Sequence, residues 1–267
     1  MKKLLIFFIT ILFFFISYSA YAQEFNFKKA YEDYLFNFNK YRESHGEYVT
    51  AKEAYSSYKT LTSKNTAKEK TAKLLLNEDE VIRTYLTAIR LKLSETTGIS
   101  NYEQNVIYLK LDKEVTLYLT HQDSVNVAGD LEDLVKLAQE NKENYKATET
   151  LSYQTLGSIF ASKEINLRNK LNGQITLLKD KLGEIRQKGN KQTAKAERWL
   201  LEAENRLLKS QEKEFEAQQI LSQIKTTDRY KNKDYNEAQY LFEQSHQYLK
   251  EASSQLQEVI REIKTAD

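Results

Sequence analysis

The segment DYNEAQYLFEQSHQYLKEASSQLQEVIREI, residues 234–263, decides the fold. Small and apolar residues recur in it at alternating steps of four and three: Ala238, Phe242, Ser245, Leu249, Ala252, Leu256, Val259 and Ile263. That period gathers them along one side of an α-helix, whereas a strand would scatter them over both faces of a sheet. Asp234, with Glu237 three residues on, predicts where this helix opens.

The same pattern extends upstream. Leu200, Ala203 and Leu207, followed by Ala217, Leu221 and Ile224, predict one helix. Leu171, Ile175, Leu178, Leu182 and Ile185 predict another, and Gly189-Asn190 is a helix stop between them. The three segments, beginning near Ser158, Asn190 and Asp234, are each about thirty residues long with short joins, the pattern of an antiparallel three-helix bundle. In helix length and topology alone they resemble spectrin-type bundles. The helical pattern already begins at Asp130, runs through Tyr145 and is continuous in period to Lys188, with Gly157, Gly173 and Gly183 the weak points of a single rod.

Before Asp130 the elements are shorter. Thr66-Ala67-Lys68-Glu69 has the form of a capping box and predicts a helix start, followed by a seam of Leu75, Asp79, Ile82, Leu86, Ile89 and Leu93 that Gly98 is placed to end in a left-handed conformation. Ser100 and Glu103 open a further helix carrying Tyr108, Leu111, Val115 and Tyr118. Residues 121–129 read as a turn, because Gln122, Asp123, Ser124 and Asn126 cluster beside Gly129. The first helix carries an aromatic seam of Phe27, Tyr31, Tyr34, Phe38, Tyr41, His45, Tyr48, Lys52 and Tyr55, interrupted by Gly46. Aromatic rings at helical spacing read first as core packing.

Composition agrees with helix throughout. The 267 residues include no proline and seven glycines, which removes most of the punctuation that sheets and long loops need. The fold expected is all-α: long antiparallel helices in an elongated bundle, or two bundles sharing a long central helix after Asp130, with coiled-coil-like packing. The chain divides into a signal peptide at 1–22, an N-terminal helical region at 23–129 and a C-terminal helical bundle at 130–267.

Lys2 and Lys3 precede a run, residues 4–16, that is apolar apart from Thr10, and Ala20-Tyr21-Ala22 then supplies small residues for cleavage between Ala22 and Gln23. The expected location is extracytoplasmic: periplasmic, cell-surface or secreted. The alternative is an uncleaved anchor, since residues 4–22 approach the roughly 20 that cross a bilayer, and membrane contact is expected only in that case. With no cysteine, neither disulfides nor a cysteine-linked lipid are available, so stability rests on buried apolar surface. Removing Lys2 and Lys3 leaves 38 basic against 38 acidic residues. A formally neutral chain lacks the basic excess of a general nucleic-acid binder, so no nucleic-acid partner is expected.

Catalytic and metal signatures are sparse. Glu243 and His246 have the Glu-x-x-His spacing of one half of a di-iron carboxylate site, but His45 and His121 follow Arg42 and Tyr118 at that distance, so the second half is missing. No phosphate-cradling glycine loop and no G-x-S-x-G elbow occurs. No catalytic residue, cofactor or metal ligand is therefore assigned. The lysines at 59, 64, 68, 70 and 73 read as a solvated helix entry or, in a functional reading, a contact for an anionic surface; Trp199 reads as core or rim. The function expected is an exported helical scaffold or interaction protein of the cell envelope without catalytic activity. Tyr31, Tyr34, Phe38, Tyr41, Tyr48 and Tyr55 are the candidate partner surface. The alternatives are a surface structural protein that self-associates through coiled-coil seams, the final seam first among them, and a metal-binding or enzymatic helical bundle.

Overall fold

The computed structural model describes residues 26–188 and 193–265; the expected signal segment, its expected cleavage point and Gly189-Asn190 lie outside them. Six helices follow one another: α1 (Phe27–Tyr58), α2 (Leu61–Ser94), α3 (Asn101–Val127), α4 (Leu131–Gln187), α5 (Ala194–Gln223) and α6 (Lys231–Thr265). No described residue is in a strand, and the protein is an all-α helical bundle. None of these helices is long and apolar enough to cross a membrane.

Local chemistry sets the boundaries. The Asn26 side chain accepts from the Lys29 N–H, Ser100 from Glu103 and Asp130 from Asp133, each satisfying one of the amides a helix start leaves free. The expected start at Thr66 is corrected: Thr60 and Ser63 form the reciprocal capping box, six residues earlier, so α2 follows α1 through Lys59 and Thr60 alone. The expected turn over residues 121–129 is also corrected, because α3 runs on to Val127. Asp123 and Asn126 are exposed and Gln122 donates to the Leu76 carbonyl of α2, while His121 and Val125, one turn apart, are buried. Asp234 does not open α6, which begins at Lys231. Gly98 has its positive φ of 101°, but in the connection beyond Ser94 rather than at the helix cap. A Cβ there would lie 2.6 Å from the Asn166 side chain, which donates to the Thr97 carbonyl and binds this connection to α4.

α4 organises the molecule. Its 57 residues form one uninterrupted helix, roughly 85 Å long at about 1.5 Å per residue. The first half packs with α2 and α3, where Leu86, Leu93, Leu111 and Tyr118 are fully enclosed and Ile159 closes the cluster. The second half packs with α5 and α6, joining Leu171, Ile175 and Leu182 to Leu200, Leu207, Leu249 and Leu256. Each enclosed leucine contributes about 2 kcal/mol through removal from water. The final seam is spent inside the chain: Ala238, Phe242, Ser245, Leu249, Ala252, Leu256 and Val259 are all buried, the last four residues in this second core and Ala238 and Phe242 in a neighbouring cluster with Ala161 and Leu221. α5 and α6 run antiparallel, as the pairs Lys195–Glu262, Arg206–Glu251 and Ser210–Ser245 show.

α1 is different, for it packs its backbone against α2 alone. Its buried residues are Ala30, Ser44 and Ala51, spaced by multiples of seven, so the close contact uses small side chains. The aromatic seam runs along the flank of that contact instead of filling it. Glu47 fixes the pairing through Lys70 and Lys73, and the Phe27 N–H donates to Glu95 at the opposite end.

Candidate functional site

The rings of α1 form a continuous ladder. Centroids lie 5.8 Å apart for Phe27–Tyr31, 5.9 Å for Tyr31–Tyr34, 6.0 Å for Tyr34–Phe38 and 6.4 Å for Phe38–Tyr41, and the line continues through His45 to Tyr48. The i, i+3 and i, i+4 steps bring each ring over the next. Tyr55 lies beyond the ladder.

Midway along, the ladder borders a cleft of about 520 Å³ between α1, α2 and α4. α1 contributes Tyr34, Phe38 and Tyr41; α2 contributes Glu78 and Tyr85; α4 contributes Tyr145, Glu149 and Tyr153. Of the six candidate surface residues, the structure thus brings Tyr34, Phe38 and Tyr41 into one site, and leaves Tyr31, Tyr48 and Tyr55 outside its lining. Tyr34 and Tyr85 are in ring contact at 5.3 Å. The floor is braced from α6, because Tyr235 stacks on Tyr153 at 4.4 Å. Phe38 and Tyr145, 38% and 46% exposed, form the open rim.

The two carboxylates of the cleft are not equivalent. Glu149 is neutralised: the buried Lys231 ammonium lies 3.0 Å from one oxygen, and the Tyr153 hydroxyl donates to the other at 3.2 Å. Lys231 also donates to the Lys146 carbonyl, clamping the start of α6 to α4. Glu78 has no ion-pair or hydrogen-bond partner among the described residues. Burial, reinforced by neighbouring Asp79, raises its carboxyl above the ordinary range, and His121 only partly opposes this. The phenols stay protonated, since burial and then the Glu149 charge push Tyr153 up to about 12, and burial likewise raises Tyr34, Tyr85 and Tyr145. The site therefore offers ring faces, neutral hydroxyls and one uncompensated carboxylate.

Tyr85, Glu78, Tyr145, Glu149 and Tyr153 were not singled out in the sequence. Glu78 and Tyr85 are seven apart, and Tyr145, Glu149 and Tyr153 are spaced by fours, so each set is a helical stripe; what no stripe reveals is that two of them face a third.

The remaining candidates are placed as follows. His246 lies 3.2 Å from Glu164 of α4, while Glu243 accepts from Gln239, so the Glu-x-x-His pair does not converge. Lys64, Lys70 and Lys73 pair with glutamates, and Lys68 donates to the Gly129 carbonyl. Trp199 is half-buried at the edge of the second core. Comparison with known proteins finds no matching family model, no matching curated protein and no matching solved structure.

Proposed function

We infer that the protein is an exported, non-catalytic interaction protein that presents α1 as its binding element. One observation carries this reading: α1 packs on α2 alone, through small residues, and leaves Tyr31, Leu35, Phe36 and Phe38 between 38% and 61% exposed. Tyr31, Leu35 and Phe38, at i, i+4 and i+7, share one face of the helix, and an exposed apolar face of that kind is costly to leave in water and is characteristic of a surface that meets a partner. Photo-crosslinking in the native cells, with the reactive group at position 35, should give one dominant adduct that the same group at exposed Leu177 does not give. Equal or absent adducts from both positions would overturn the assignment of α1.

A second reading, self-association as a structural oligomer, is favoured by a different helix. Leu201, Leu208 and Phe215 recur at seven-residue spacing on α5, each 58–59% exposed. The final seam has no such free surface, since its side chains are used within the chain. Concentration-dependent oligomers abolished by Leu208→Glu would support this reading, and a monomer at all concentrations would remove it.

A further inference from the structure

We propose that the cleft between α1, α2 and α4 is a binding site for a small organic cation, an alkylammonium compound held against its tyrosine rings with Glu78 as counter-ion. The proposal rests on the reading of α1 as a binding element only in using its inner rings, and the two fail separately.

Charge complementarity makes the argument. Six rings line the space: Tyr34, Phe38, Tyr41, Tyr85, Tyr145 and Tyr153. The face of an aromatic ring is negative, so rings converging on a cavity attract a cation, most strongly where water is displaced. Among the described residues no lysine or arginine lines the cleft, so no side chain of the protein occupies that role. Elsewhere on the surface such contacts are satisfied internally, as by Lys40 over Phe36 and Lys92 over Phe27. Lys231 neutralises Glu149 from outside the lining, which leaves Glu78 as the single unbalanced charge.

Size and ligand type narrow the class. A cleft of about 520 Å³ lies within the 300–1,000 Å³ typical of small-molecule sites and exceeds what one basic side chain fills. A hard metal ion is a poor match, because calcium or magnesium needs about six oxygen ligands and the rings provide none in their faces. A methylated or primary ammonium with a short apolar body suits the rings, and the phenol hydroxyls suit a polar tail.

Glu78 also gives the site a pH dependence. It is faced by Tyr41 from α1, Tyr145 from α4 and His121 from α3, with Asp79 beside it on α2. Burial, with the Asp79 charge, raises its carboxyl, so cation binding tightens as pH rises through the raised carboxylate range.

The test is calorimetric titration of the purified protein with choline and with its neutral isostere 3,3-dimethyl-1-butanol. Saturable choline binding is expected, with the isostere about tenfold weaker or worse. Glu78→Gln and, separately, Tyr145→Leu are each expected to weaken choline about tenfold while the melting temperature stays near that of the parent. Tyr145 is a rim residue, so its loss tests the rings without opening a core. No choline binding, equal binding of the isostere, or unchanged affinity in both variants would overturn the proposal. A capped Gly-Arg-Gly peptide binding more tightly than choline would overturn the small-molecule assignment in favour of a partner's basic side chain. Crosslinking from position 35 answers the separate question of a protein partner, and neither result predetermines the other.

Discussion

His121 donates from Nδ1 to the Asp79 carboxylate across 2.7 Å, inside the core of α2, α3 and α4. Its Nε2 faces the Leu137 carbonyl at 3.1 Å, so both ring nitrogens meet acceptors and the charged imidazolium is the form that fits. Burial opposes that charge, but the Asp79 hydrogen bond and charge, with the carbonyl, outweigh it and raise the His121 pKa. Burial also lifts the Asp79 carboxyl, with His121 pulling it back.

The pair makes stability depend on pH. A raised folded pKa gives a contribution that is full below the unfolded value, about 6.5, and lost as pH rises through the folded one. Urea unfolding is expected to show stability declining from pH 6 towards pH 9. Asp79→Ala is expected to cost about 3–5 kcal/mol at pH 6 by stranding a buried charge. In that variant only the Leu137 carbonyl and the Glu78 charge remain to oppose burial at His121, so the decline of stability with rising pH is expected to flatten or reverse. A variant retaining the parent slope would show that another group titrates.

Ser210 and Ser245 share a hydrogen bond of 2.9 Å between α5 and α6, and both are fully buried. Replacing either by alanine is expected to cost about 1–2 kcal/mol, because the other hydroxyl loses its partner. The double replacement should cost less than the sum of the two. A double-mutant cycle in guanidinium measures the coupling, and strict additivity would show that the two hydroxyls act independently.

The glycines of α4 divide by what surrounds them. A Cβ on Gly173 or Gly183 meets nothing within 4 Å, so Gly173→Ala is expected to stabilise by about 0.5–1 kcal/mol through helix propensity. A Cβ on Gly157 would lie 2.2 Å from the Leu221 Cδ1. Leu221 is buried among Ala161, Ala217, Ile224, Ala238 and Phe242, so Gly157→Ala is expected to destabilise by about 1–2 kcal/mol despite the same propensity gain. Thermal melts of the two variants should move in opposite directions.

α1 is expected to open before the rest of the chain, because only α2 holds its backbone and only small residues lie between them. Native-state hydrogen exchange should find the amides of Ser44 and Ala51 about tenfold or more less protected than those of Leu86 and Leu111. Equal protection would place α1 in the same cooperative unit as the two cores.

What could be read from the sequence depended on whether one helix held the whole signal. The seam of α6 was legible because every residue of it, from Ala238 to Val259, faces the core at the expected period. α1 was misleading, since its rings dominate the pattern while the buried contact belongs to Ala30, Ser44 and Ala51. A polar run hid the last turns of α3, where Asp123 and Asn126 are exposed, Gln122 bonds to α2, and His121 is needed within. The seam carrying Asp79 held the clue, because a carboxylate in an apolar line requires a buried partner. Tyr34, Tyr85 and Tyr145 are brought together by the packing of three helices, a relation that no local spacing encodes.

One continuous helix also supplies Tyr153 to the cleft and Gln187 to the far end of the second bundle. They are 34 residues apart along the helix, about 50 Å at the standard rise, flanked along that length by α5 and α6. No loop lies in that path, so the separation is set by residue count. The tip near Ala194 is therefore held at a fixed distance from the tyrosines of the cleft.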